Sequence, residues 1–126
     1  MAEQSKKKTV IIGATDNPGR YAYLAAGMLK ENGHPIVPMS IHQGEVQGQE
    51  LLDLREKIPV EGVDTVTMYI NPSHQKEWED YIISLDPKRV IFNPGAENQG
   101  FMDRLEKAGV EVIAACTLVM IRTNQF

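Results

Sequence analysis

Apolar residues along this chain gather in short runs, separated by longer stretches in which they recur every three or four positions. The runs are rich in β-branched residues and suit strands buried on both faces, and the recurrences suit amphipathic helices. Thr9 to Gly13 predicts a first strand, and Arg20 to Asn32 a helix with Tyr21, Leu24, Ala25, Met28 and Leu29 on one face. Gly33 is placed to close that helix with a left-handed cap. Pro35 to Met39 predicts a second strand, with a proline at its start and another near its end. Ser40 to Gly62 is irregular, though Leu51, Leu52 and Leu54 suggest a short helix within it. Val63 to Tyr69 predicts a third strand. Asn71-Pro72 then opens a helix, because Asn caps well and Pro fits the first helical position. Its buried stripe is Trp78, Tyr81, Ile82 and Leu85. Arg89 to Phe92 predicts a fourth strand, Gly100 to Ala108 a helix with Phe101, Met102 and Leu105 inward, and Val110 to Ala114 a fifth strand. The apolar end, Thr117 to Ile121, reads as a strand, a helical turn or a contact surface.

Strands alternating with helices predict an α/β fold with a doubly wound, parallel, five-stranded sheet. The expected order is 3-2-1-4-5, Rossmann-like, in a single domain over residues 9–126 that follows a flexible tail of residues 1–8. The length of 126 residues suits one such domain. The ligand crevice of such a sheet lies beyond the carboxyl ends of the strands, where the winding reverses. The expected order puts it between the first and fourth strands. The loops Ala14 to Gly19 and Asn93 to Asn98 then face each other across it.

Composition narrows the classes. Apolar residues make up 42% of the chain, against disorder, and a net charge of −4 with interspersed signs is against nucleic-acid binding. The basic run Lys6-Lys7-Lys8 is short enough to be a solubilising tail. One cysteine, Cys116, excludes an internal disulfide and a multi-cysteine metal site, and no metal-ligand spacing occurs elsewhere. The polar, charged first ten residues predict no signal peptide, and no apolar run approaches the length of a membrane span. The expectation is a cytoplasmic protein that engages neither membrane nor nucleic acid.

The first loop has the chemistry of a phosphate cradle. Gly13 permits a tight turn, Thr15 and Asn17 offer donors, and the next helix offers free backbone N–H groups and a partial positive charge. Arg20 adds a fork of charged donors, whereas Asp16 would repel a phosphate and is expected to point away. Tyr21 fits both the cradle and the helix's apolar stripe. The loop reads GATDNPG, not G-x-G-x-x-G, and the second strand ends without Asp or Glu, so NAD is disfavoured. No P-loop occurs, and the acidic residues of a phosphoacceptor receiver are absent.

The segments VIIGATDNPGRYAYLAAGMLKENGHPIVPM, VDTVTMYINP and VIFNPGAEN, with GVEVIAACTLVMI, resemble the small stand-alone CoA-binding proteins. These are similar to the CoA-binding domain of the succinyl-CoA synthetase alpha subunit. The resemblance runs from Thr9 to Ile121. It implies a Rossmann-type fold and, as ligand, CoA or a related adenine nucleotide. It implies that Gly13, Ala14, Thr15, Asn17, Pro18, Arg20 and Tyr21 hold the pyrophosphate. The adenosine would lie near Pro38, Met39 and Ser40, and beside Tyr69 and Asn71. Asn93, Pro94, Gly95, Asn98 and Cys116 would line the side reached by the pantetheine arm. After the second strand, SIHQGEVQGQ offers no Lys or Arg for the CoA 3′-phosphate; His42 is the one candidate and Glu45 opposes it.

No catalytic constellation is evident. His34, His42 and His74 fall in no nucleophile or metal motif. The favoured reading is a binding domain without catalysis. One alternative is an enzyme acting on a CoA thioester or acyl adenylate through Cys116 or Glu97. Another is a nucleotide-responsive interaction module, with CTLVMI as a contact for a second copy or a partner protein.

Overall fold

In the computed structural model, which describes residues 6–126, the strand β1 (Thr9–Ile12) is buried along its whole length. Its side chains alternate between two cores, as strand geometry requires. Val10 and Ile12 face one core, and Ile11 the other. The elements that follow are α1 (Tyr21–Glu31), β2 (Ile36–Ser40), β3 (Glu45–Val46), β4 (Gln49–Glu50) and β5 (Leu52–Asp53). Then come β6 (Thr65–Met68), α2 (Glu79–Ser84), β7 (Arg89–Phe92), α3 (Gln99–Lys107), β8 (Glu111–Ala114) and α4 (Thr117–Arg122). Single 3-10 turns lie at Leu54–Glu56, Pro72–His74 and Lys76–Trp78.

Among the described residues one sheet has six strands in the order β5-β2-β1-β6-β7-β8, all neighbours parallel. Counted along the chain within this sheet, the order is 3-2-1-4-5-6, the doubly wound arrangement. The expected class and its Rossmann-like winding hold, with one strand more than the five expected. The place read for Val63–Tyr69 changes as a result. That segment is fourth in the sheet and lies against β1, at Thr9↔Thr65. The third place belongs to β5, which pairs with β2 only at Met39↔Leu52 and Ser40↔Asp53. Pro38 precedes those two pairs, where a missing N–H costs no ladder bond to β5.

Of the leucines expected to make a short helix, Leu51 precedes β5, Leu52 lies in it and Leu54 starts the 3-10 turn after it. Asp53 starts that turn by accepting from Arg55 N at 2.9 Å. Before it, β3 and β4 form an antiparallel hairpin around Gln47 and Gly48, both at positive φ, the backbone that a two-residue hairpin turn demands.

One face of the sheet carries α2, α3 and the larger core, with Met68, Ile82, Phe92, Phe101 and Leu105 fully buried. The other carries α1 packed beside α4. The buried stripe of α1 is Ala22, Ala25, Ala26 and Leu29, at helical spacing. This corrects the expected face: Tyr21 is 70% exposed and Leu24 41%. Small alanines let the helix sit close to the sheet, and the bulkier residues turn outward. The apolar end becomes α4, where Thr117, Leu118, Met120 and Ile121 are buried in the chain's own fold and Val119 is left at the surface. The helix expected after Asn71-Pro72 is broken into two 3-10 turns before α2 begins.

Of the tail expected over residues 1–8, residues 1–5 lie outside the described residues. Lys7 N donates to His34 Nδ1 at 2.9 Å, and the Lys8 carbonyl accepts from Asp64 N and Thr65 N. Among the described residues, no helix is long and apolar enough to cross a membrane.

Candidate functional site

The chain winds outward from β1 through β2 to β5, then returns to β6 on the other side of β1. The reversal therefore lies between β1 and β6, where the fold places its ligand crevice. A cleft of about 410 Å³ opens there, within the range of small-molecule sites. Its walls are Gly13–Asp16 and Arg20 after β1, Ser40–Gln43 after β2, and Tyr69–Asn71 after β6. Leu51, Leu54 and the indole of Trp78 close the apolar side, with His74 and Glu77 at the rim.

The loop after β1 is shaped by its own residues. Gly13 N and Ala14 N both donate to the Met39 carbonyl at 3.0 Å, which fixes the loop to β2 and uses up those two donors. Gly13 has φ +94°, and a Cβ there would lie 2.8 Å from Ile70 Cγ2 and 3.2 Å from the Tyr69 backbone. The glycine is thus required by the wall formed after β6 rather than by a ligand. Asn17 N donates to Thr15 Oγ1 at 3.1 Å, and Asn17 Oδ1 accepts from Gly19 N at 2.9 Å. The next helix starts at Arg20 with no side-chain cap and no acidic residue in its first turn. Among the described residues, the N–H groups of Thr15, Asp16, Tyr21 and Ala22 have no acceptor, and the exposed Arg20 has no ion pair. Free donors at an uncapped helix start beside a guanidinium favour an anion. Asp16 lines the cleft too, and its side chain reaches toward Gly44, its Oδ2 lying 2.7 Å from where a Cβ on that glycine would stand.

Tyr69 forms part of the floor. Its buried hydroxyl lies beside those of Thr117 and Thr67 but has no hydrogen bond of good geometry among the described residues. Burial pushes this phenol up to about 12, against the opposing pull of the two threonines. It stays a neutral donor at any physiological pH. Asn71 caps the turn after it, its Oδ1 accepting from Ser73 N and Ser73 Oγ, both at 2.8 Å.

The second expected loop is not brought to the cleft. Because β6, not β7, lies beside β1, the segment from Asn93 to Asn98 sits one strand further out. Asn93 is buried and fully engaged. Its Nδ2 donates to Thr67 Oγ1 and the Met68 carbonyl, and its Oδ1 accepts from Thr117 N. Glu97 accepts from Gly95 N at 2.8 Å. Asn98 caps α3 by accepting from Phe101 N and donates to Gln75 Oε1. Pro94 is exposed. Cys116 is half-buried at the start of α4, near Tyr69. Of the remaining expected residues, Ser40 lines the cleft, whereas Pro38 and Met39 are buried behind it in β2, and Asn17, Pro18 and Tyr21 flank it.

The sequence reading missed Gln75. It is fully buried, and its amide donates to the Ile70 carbonyl at 3.0 Å and the Ala96 carbonyl at 2.7 Å. It ties the cleft wall after β6 to the loop after β7. A polar residue inside a stretch of helical period gave no sign of that. Of the wall Ile41–Gln43, the sequence reading singles out only His42, as a candidate for the CoA 3′-phosphate.

Fold and cleft together define a single-domain, Rossmann-like α/β protein with an anion-suited crevice at its switch point. The chain belongs to the family described as the CoA binding domain, which matches residues 7–122. Among solved structures it is similar to an uncharacterized protein at 49% identity and TM-score 0.94, covering 98% of this chain and 100% of that one. A conserved hypothetical protein from Pyrococcus furiosus is 26% identical with TM-score 0.76, covering 90% of this chain and 97% of that one. A protein from Thermus thermophilus, at 24% identity and TM-score 0.83 over 96% of this chain and 91% of that one, shares the fold. No curated protein matches the chain.

Proposed function

We propose that this protein binds CoA or a closely related adenine nucleotide in the cleft between β1 and β6. The observation that carries the reading is the donor set at the switch point: backbone N–H groups of Thr15, Asp16, Tyr21 and Ala22 that are unpaired among the described residues, with Arg20 beside them. Family membership supports the same ligand class. In this reading the diphosphate lies over the loop after β1 and takes its countercharge from Arg20. The adenosine extends toward Ser40, and Asn71 faces the ligand from the other side. Binding without catalysis is the favoured activity, since neither Cys116 nor Glu97 lines the cleft and Glu97 already holds Gly95 N.

Calorimetric titration with CoA, dephospho-CoA, ADP, NAD and inorganic phosphate tests it. Micromolar binding of CoA or its dephospho form, ahead of NAD, is expected. Arg20→Ala should weaken that binding about tenfold to a hundredfold, because a charge-assisted hydrogen bond contributes about 1.5–3 kcal/mol. Unchanged affinity in a folded Arg20→Ala protein would move the diphosphate elsewhere. Failure of every nucleotide to bind would overturn the proposal.

A further inference from the structure

We infer that this cleft, taken as the nucleotide site proposed above, selects against a phosphate on the adenosine ribose, so that dephospho-CoA is a better ligand than CoA. The inference rests on what stands behind the wall after β2. In sheets of this winding the ribose lies at the carboxyl end of the second strand. Here that end is Ser40, and the segment Ser40–Gln43 is shared by the cleft and by a second cavity of about 620 Å³. The acidic side chains lining that second cavity are Glu45, Glu50, Asp53 and Glu56.

Two features make the arrangement repulsive rather than neutral. Glu45 and Glu50 are direct partners across the β3–β4 hairpin, a like-charge pairing that costs the hairpin stability. Among the described residues Arg55 is the one Lys or Arg lining the cavity, and its guanidinium is already paired. Its Nε and Nη2 meet Asp53 Oδ1 and Oδ2 at 3.0 and 3.2 Å in a two-point pair. Lys57 lines neither cavity; its ammonium lies 5.8 Å from the centre of the Trp78 ring. A ribose phosphate would therefore bring a further charge of about −1.5 to −2 toward carboxylates with no free guanidinium to meet it. The diphosphate, the adenine and the pantetheine arm are common to both ligands, so their contributions cancel in the comparison.

Titration of the full chain with CoA and with dephospho-CoA, each at low and high salt, tests this. Dephospho-CoA should bind about threefold or more tighter at about 20 mM salt, and the gap should close near 0.5 M as the repulsion is screened. In a Glu45→Gln/Glu50→Lys variant, with folding checked by circular dichroism, the low-salt preference should disappear or invert. Equal affinities at low salt, or tighter binding of CoA, would overturn the inference and leave the nucleotide reading standing. A ratio unmoved in the folded variant would overturn the assignment to these carboxylates. If neither ligand binds, the nucleotide reading falls, and this inference falls with it.

Discussion

At Gly13 the backbone φ of +94° and the 2.8 Å approach to Ile70 act together. Any side chain there is strained by conformation and clashes with the strand-end wall. Gly13→Val should therefore lower stability by about 2 kcal/mol or more, read as a fall in melting temperature, before any effect on ligand appears. Tyr69 poses the opposite case. Among the described residues its hydroxyl is buried without a good partner, so Tyr69→Phe should leave the free protein as stable or make it more so. Because that hydroxyl is closed off from the cleft, the same change should leave nucleotide affinity unaltered. Thermal melts and titration of the one variant check both outcomes.

At the scale of elements, Gln75 joins two connections that would otherwise be independent. Replacing it with Leu leaves the carbonyls of Ile70 and Ala96 and the amide of Asn98 without partners. Each such group costs about 1–3 kcal/mol when left unsatisfied. Gln75→Leu should destabilise the protein by a few kcal/mol and speed amide exchange in both loops together. Exchange confined to one loop would refute the coupling.

The same elements mark what the sequence made legible. Continuous apolar runs identified β1, β6 and β7, because strands covered on both faces admit little else, and the run Val110 to Ala114 marked the more exposed edge strand β8. A strand of two residues has no period to detect, so β5 went unseen, and that single omission moved the switch point by one strand. The cradle after β1 stayed readable, since its position follows from β1 alone. Its opposite wall was reached only through the family resemblance, which named Tyr69 and Asn71, while the expected strand order put the loop rich in Gly, Pro and Asn after β7 there instead. Tyr21 and Leu24 were misassigned because spacing alone does not say which of two apolar faces is the buried one.

Across the whole molecule, the segments before β1 and after α4 meet beneath the sheet, at the end away from the cleft. The His34 ring lies 5.0 Å from that of Phe126, and the Arg89 guanidinium lies 4.4 Å from the centre of the Phe126 ring. Lys7 Nζ donates to the Phe126 carbonyl. Burial holds the His34 imidazole below its ordinary 6.5, with the charges of Lys7 and Arg89 adding to the effect and Asp64 opposing it. Its Nδ1 is also occupied as an acceptor. The unfolded chain therefore binds the proton more readily, and stability rises with pH through the window just below 6.5. The full contribution is present above that value, and it is lost as pH falls toward the lowered one. Denaturant melts between pH 7.5 and about 5 should show the decline, and His34→Gln should flatten it.

The central position of β1 also bears on how the protein comes into being during synthesis. Thr9 is among the first described residues, yet its partners are Ile36 on one side and Thr65 on the other. The cradle loop is therefore made before its opposite wall and waits without it until β6 has emerged. A nascent chain halted before β6 should expose apolar β1 on one edge and have no affinity for nucleotide. Contacts so distant along the chain form slowly, which makes that interval the one in which this protein most needs shielding from its neighbours.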